Sequence, residues 1–164
     1  MLESNLNDLY QSTVEAFPKT GLRQHATDPI KIVEMNWIPF KGIKTLLVSG
    51  VALNEGRQYK CHLLFKNVNY NESEVHIVAS DYQRYGFKKL KYNETDVLVR
   101  CNCMDFYHRF NYYNHIDKTL WGSKRGPYES KGTGIEANPT KSPGMCKHLI
   151  KFSEALVDAK VLLA

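Results

Sequence analysis

The chain lacks the long apolar segments and leader patterns that would place it in or across a membrane. None of its 164 residues belongs to an uninterrupted apolar run of about 18 residues, the length that a membrane-spanning helix requires. Its first residues also lack a basic segment followed by an apolar run, so we expect no secretory signal peptide. Four cysteines without such a signal indicate a reducing compartment, where metal binding is favoured over disulfides.

Signatures of common catalytic sites are missing as well. The chain has no phosphate-binding glycine-rich loop that ends in Lys and Ser or Thr, and no Gly-x-Ser-x-Gly turn around a nucleophile. Residues 131–134, Lys-Gly-Thr-Gly, read only as a loop. Glu136 or Asp105 would be a candidate base beside a metal that keeps an open position, but we expect no enzyme.

The composition is that of an ordinary globular protein with a mildly basic surface. Hydrophobic residues make up 43% of the chain and charged residues 24%, which argues against disorder. The net charge of +5 is compatible with an acidic partner such as nucleic acid, but on charge alone a moderately basic solvated surface is the favoured interpretation. Ten tyrosines favour hydrated interfaces, because the ring is buried while the hydroxyl stays in water.

The pattern of apolar residues predicts an α+β fold. Helical spacing over residues 4–16, with Ser4 or Asn5 as the cap and Pro18 as the stop, predicts a helix that packs on the core or docks on a partner. Residues 30–103 predict an antiparallel β-sheet of short strands, with a turn at 39–42 and a hairpin turn at 54–57. A second helix is predicted over residues 146–159.

We predict one domain with three regions. Residues 1–29 form an N-terminal helix and arm, residues 30–96 form the sheet, and residues 97–164 form a ββα-like zinc-binding module with a long inserted loop. The length suits a single domain with a sizeable core.

Three of the four cysteines fall into two close ligand pairs. Cys101 and Cys103 are separated by one residue, and so are Cys146 and His148; 42 residues lie between the pairs. Two close pairs of soft ligands, one leaving a strand and one entering a helix, are typical of a structural zinc site. We therefore predict Zn²⁺ bound by these four residues.

The spacing within each pair sets a different local geometry. Positions i and i+2 of a strand share one face, so Cys101 and Cys103 would both point toward one ion. On a helix the same spacing turns the side chains about 200° apart. Cys146 must therefore lie in the turn or at the cap, with His148 in the first helical turn.

Other assignments of the ligands stay open. Buried reduced cysteines with a core histidine would show the same pattern without metal. Cys61 alternates with apolar residues of a strand and is expected to pack in the core. His108 or His115 would replace His148 as the fourth ligand if the register differed.

This ligand set resembles the SWIM-type zinc finger, a ββα module with a CxC…CxH pattern. The resemblance covers residues 90–160 and implies Cys101, Cys103, Cys146 and His148 as the ligands, although the 42-residue spacer is longer than is usual. SWIM domains are associated with DNA binding or protein interaction and not with catalysis. The fuller pattern, with Asp105 and Phe106 after the first pair and residues 138–139 and 143–149 around the second, looks like small SWIM-like proteins of tailed bacteriophages.

The spacer mixes aromatic and basic residues. Such a mix suits stacked single-stranded bases, a protein interface, or packing of Phe106, Phe110 and Trp121 against the zinc module. We expect residues 105–141 to be an arm that meets partners, with residues 122–143 as an extended surface loop. The predicted partner-binding residues are Arg109, Tyr112, Tyr113, Trp121, Lys124, Arg125 and Tyr128.

Together these features predict a zinc-stabilised structural or interaction protein. The phage resemblance implies a virion or assembly component that contacts other virion proteins, located in the virion and in the host cytoplasm during assembly. A nucleic-acid-binding zinc finger is the alternative.

Overall fold

The computed structural model describes residues 4–18, 29–124, 126 and 137–164. Helix α1 spans Leu6–Ala16. Asn5 caps it, since its side chain accepts a hydrogen bond from the Asp8 N–H while the Asp8 carboxylate accepts one from the Asn5 N–H. The apolar face of the helix is buried, which decides in favour of packing on the core.

Four strands form the main antiparallel sheet: Lys31–Phe40 (β1), Thr45–Asn54 (β2), Arg57–Phe65 (β3) and Val97–Cys101 (β7). Their order in the sheet is β1-β2-β3-β7. A two-residue turn joins β2 to β3, with Glu55 and Gly56 both at positive φ. This geometry confirms the predicted hairpin, because such turns require φ > 0 at both central positions.

Smaller elements lie beside this sheet. Strands β4 (Val75–Val78) and β5 (Arg84–Phe87) form an antiparallel pair, while β6 (Leu90–Lys91) and β8 (Leu162–Leu163) pair in parallel. The segment around Leu120 forms a parallel bridge to Val99 of β7. The N–H of Val99 donates to the Thr119 carbonyl, and the N–H of Trp121 donates to the Val99 carbonyl. This segment therefore extends the sheet beyond β7.

The final helix, α4 (Lys147–Asp158), packs across the inner face of the sheet. Phe152 lies against Gly50 of β2 so closely that a Cβ at position 50 would overlap its ring. Leu149, Ile150 and Leu156 of the same helix are buried with it. Burying side chains of this size contributes roughly 1.5–3 kcal/mol each, so this face of α4 is a main source of stability.

The predicted α+β class, with its N-terminal and C-terminal helices, is confirmed, but three local predictions were wrong. Strand β1 continues through Pro39, and the turn follows as a 3₁₀ helix over Lys41–Ile43. Proline is tolerated there because β1 is an edge strand. Strand β7 ends at Cys101, so Cys103 lies beyond it. The predicted arm begins with two short helices, α2 (Met104–Arg109) and α3 (Asn111–Asp117).

Two aromatic residues of the spacer are core residues and anchor the two helices to the rest of the chain. Phe106 and Phe110 are fully buried, and their ring centroids lie 6.2 Å apart. Much of the predicted surface loop, residues 125 and 127–136, lies outside the described residues. Strand β7, assigned from sequence to the metal module, is a hydrogen-bonded member of the main sheet.

Candidate metal centre

The four predicted ligands converge on one buried point at the end of β7. Their ligand atoms all lie within 4.8 Å of one another, and all four side chains are buried. Cys101 is the last residue of β7, and Cys103 is the N-cap of α2. Cys146 is the N-cap of α4, which places His148 in its first turn as predicted.

The distances fit tetrahedral coordination. His148 Nδ1 lies 3.9 Å from the Cys101 sulfur and 4.0 Å from the Cys146 sulfur. Bond lengths of about 2.3 Å to sulfur and 2.0–2.1 Å to nitrogen give ligand–ligand separations of roughly 3.6–3.8 Å around zinc. Along these two edges, contraction by a few tenths of an ångström would complete the site. Three sulfurs and one imidazole nitrogen are also a donor set that suits a soft or borderline divalent ion.

Burial and mutual hydrogen bonds shift the pKa values of the three thiols. Burial raises the pKa of the Cys146 thiol well above its usual value. The hydrogen bond between Cys101 and Cys103 raises the pKa of Cys101 and lowers the pKa of Cys103. A bound cation would favour the ionised form of all three thiols, because its positive charge stabilises the thiolates.

Local hydrogen bonds support the ionised form of the sulfurs. The backbone N–H of Phe106 donates to the Cys103 sulfur over 3.3 Å. The Cys146 sulfur lies at the N-terminus of the 12-residue helix α4, where the helix dipole favours negative charge. Both features lower the cost of the thiolates that a metal ion requires.

The turn that carries Cys146 is fixed by side chains from distant parts of the chain. The Asn114 side chain accepts a hydrogen bond from the Gly144 N–H and donates one to the Gly144 carbonyl. The Thr13 hydroxyl accepts from the Met145 N–H, and Ser12 donates to the Pro143 carbonyl. Sequence reasoning missed these residues, because nothing in the local pattern near Cys146 reveals contacts up to 132 positions away.

Cys61 lies beside the cluster without belonging to it. It is directly across from Cys101 in the β3–β7 pairing and is fully buried, as expected for a core residue. The group of mutually close ligands does not include it. His108 and His115, the alternative fourth ligands, also lie outside that group and occupy α2 and α3.

The predicted partner-binding residues have different surroundings. Arg109 is only 9% exposed; its guanidinium pairs with Asp105 and lies 4.3 Å from the centroid of the Phe17 ring. This position favours a packing role over contact with a partner.

The remaining predicted partner residues are more accessible where they are described. Tyr112 and Tyr113 are half-buried on α3, and Lys124 is exposed. Trp121 stacks on His62, with ring centroids 4.5 Å apart. Arg125 and Tyr128 lie outside the described residues.

Comparisons with known proteins leave this geometry as the main guide to function. No protein-family model, curated protein or solved structure matches the chain. Within the described ranges, no helix has both the length and the apolar character needed to cross a membrane. The assignment of a candidate metal centre therefore rests on the geometry of the buried Cys₃His group, which can hold a metal ion.

Proposed function

We propose that this chain is a zinc-stabilised structural or interaction protein. The observation that carries the proposal is the buried, mutually close set of Cys101, Cys103, Cys146 and His148. Among divalent ions, zinc combines a preference for sulfur and imidazole with four-coordinate tetrahedral geometry. Magnesium and calcium prefer oxygen ligands, which this group lacks.

The same ligand set supports a role without catalysis. A catalytic zinc usually has three protein ligands and an open position for water or substrate. Four protein side chains from two chain segments would occupy every tetrahedral position. The ion would then hold the end of β7 to the start of α4.

The assignment to a SWIM-type centre and to a phage particle rests on the resemblance of the sequence pattern to those proteins. The CxC…CxH order, with the second pair opening a helix, supports a SWIM-type centre. The looser likeness to SWIM-like phage proteins supports a component of a tailed-bacteriophage particle, present in the virion and in the host cytoplasm during assembly. Other virion proteins would be its partners.

Metal analysis tests the first part of the proposal. We expect one zinc per chain, and we expect Co²⁺ substitution to give the intense absorption of a tetrahedral thiolate site. Cys103→Ser should lose the ion, whereas Cys61→Ala should keep it. Purified wild-type protein that binds no divalent ion at any tested pH would refute the metal centre.

Particle fractionation tests the second part. The protein should co-sediment with assembled particles after salt washing and should crosslink to at least one other particle protein. Recovery only as a free monomer, in lysates that contain mature particles, would rule out a virion role.

Nucleic-acid binding is a second candidate function, favoured by the outer face of β3 and β7. Lys60, His62 and Arg100 lie on this face, with Trp121 stacked on His62. The pKa of His62 is lowered by burial and by the neighbouring charges of Arg100 and Lys60, so a positive potential surrounds it. Basic residues beside aromatic rings suit the phosphates and bases of a single strand.

A binding titration with matched charge changes tests this candidate. We expect labelled single-stranded oligonucleotides to bind with an affinity that falls as salt rises. Lys60→Gln should weaken binding several-fold, whereas Lys151→Gln, which removes the same charge from the exposed side of α4, should not. Binding that is absent at low salt, or equal in both variants, would eliminate this surface.

A further inference from the structure

The β2–β3 hairpin supplies two residues that orient the histidine of the metal centre. We infer that Asn54 and Tyr59 are positioning residues that hold His148 so that Nδ1, and not Nε2, is its metal-binding atom. The inference rests on the proposed metal binding. It also extends the centre beyond the predicted zinc module, since both residues belong to the region assigned to the sheet.

The first observation is a buried contact on the far side of the imidazole ring. His148 Nε2 lies 3.3 Å from Asn54 Oδ1, and the residues are 3% and 5% exposed, respectively. A carbonyl oxygen can only accept a hydrogen bond, so Nε2 carries the proton of the neutral ring. The lone pair is then on Nδ1, the atom that faces the sulfurs of Cys101 and Cys146. A hydrogen bond of this kind commonly sets the tautomer of a metal-bound histidine.

The second observation is a stacked ring. Tyr59 and His148 have centroids 4.2 Å apart and ring planes 23° apart. The stack resists tilting of the imidazole out of its plane, while the bond to Asn54 resists rotation within that plane. Together the two contacts restrict both motions that would turn Nδ1 away from the cluster.

The third observation is that continuous strand pairing fixes the backbone of the hairpin. Asn54 pairs with Arg57 at the last rung of the β2–β3 ladder, directly beside the two-residue turn. Tyr59 lies two residues further along β3, opposite Ala52. The backbone of both positioning residues is therefore set by the ladder, and metal binding is coupled to closure of this hairpin.

Substitution of Asn54 separates positioning from general stability. Asn54→Leu removes the acceptor, and we expect zinc affinity, measured against a competing chelator, to fall about 10- to 100-fold. Asn54→Asp keeps an acceptor oxygen in the same place and should restore most of the affinity. Ser153→Ala removes another buried hydrogen bond of α4, away from the ligands, and should leave the affinity unchanged.

A spectroscopic measurement identifies the ligating atom directly. In ¹⁵N-histidine-labelled protein loaded with ¹¹³Cd, we expect scalar coupling from cadmium to His148 Nδ1 and a protonated Nε2. Coupling to Nε2, or an Asn54→Leu variant with wild-type affinity, would overturn the inference while the metal centre stood. A wild-type protein that binds neither ion would overturn the proposed function itself.

Discussion

The two halves of the candidate metal centre are held in place by different means. Cys101 is the last residue of β7 and Cys103 caps the helix that follows, and the backbone ladder between β3 and β7 sets the position of Cys101. Cys146 and His148 follow an irregular turn, whose backbone polar groups bond to the side chains of Asn114 and Thr13. One half thus depends on regular secondary structure, and the other on buried polar contacts between distant segments.

This difference implies different responses to mutation. A ladder of backbone hydrogen bonds survives most single side-chain changes, because the side chains do not make the bonds. A turn held by a few side chains loses alignment when one of them is removed, and the change leaves buried backbone groups without that partner. The second pair is therefore expected to be the more fragile half of the centre.

Loss of the metal should have the largest effect, because it removes the link between the two halves. Stringent chelation, or Cys103→Ser, should lower the melting temperature by about 10 °C or more, since metal binding and folding are coupled. Differential scanning calorimetry measures this shift. Cys61→Ala should keep its sensitivity to chelator. An unchanged melting curve after complete metal removal would contradict the linkage.

Asn114→Leu should have the next largest effect, because it removes contacts only from the turn that positions Cys146 and His148. It leaves the N–H and C=O of Gly144 buried without their present partner, at a cost of roughly 1–3 kcal/mol for each group. Chemical unfolding measures the loss, and zinc affinity should fall with it. Asn36→Leu on the exposed face of β1 is the control, expected within about 0.5 kcal/mol of wild type. Equal stabilities for the two variants would contradict the expectation that the Cys146 and His148 pair is the more fragile half of the centre.

Gly144→Ala tests the same turn by overpacking. A Cβ at this position would overlap the Thr13 hydroxyl and the Phe110 ring, so we expect destabilisation of about 1–3 kcal/mol and weaker metal binding. Gly42→Ala is the matched control, because nothing lies within 4 Å of a Cβ there. Thermal melting and chelator competition on both variants provide the measurement. A neutral Gly144→Ala would show that the turn is not tightly packed.

The smallest effect is expected at high pH, where Tyr92 reports on packing outside both ligand pairs. Burial raises the pKa of Tyr92 to about 12. In the unfolded chain this tyrosine ionises near pH 10, so the unfolded state loses its proton first and stability falls as the pH rises from about 10 to 12. Tyr92→Phe should reduce that slope in pH-dependent denaturation, whereas exposed Tyr82→Phe should not. An unaltered slope in Tyr92→Phe would exclude this tyrosine as the cause.

The sequence predicted the ligand residues better than it predicted the contacts that hold them in position. The spacing of Cys146 and His148 required a cap and a first helical turn, and this is where both residues lie. The prediction that the side chains of Cys101 and Cys103 point toward one site was correct, but Cys103 is a helix cap and not a strand residue. Helices α2 and α3 were missed because their buried aromatics were also compatible with an interface. The contacts of Asn114, Thr13 and Asn54 depend on tertiary structure, which no local periodicity encodes.

The 42-residue interval between the ligand pairs sets how strongly a bound ion would restrict the unfolded chain. An ion held by both pairs is a reversible cross-link, comparable to a disulfide in a compartment where disulfides are not maintained. Closing a loop of this size restricts the unfolded chain by about 4 kcal/mol on the chain-entropy estimate. Because that entropy changes only with the logarithm of loop length, lengthening the spacer costs little. A spacer of this length is therefore compatible with the same ligand geometry, and additional structure such as α2 and α3 can be accommodated between fixed ends.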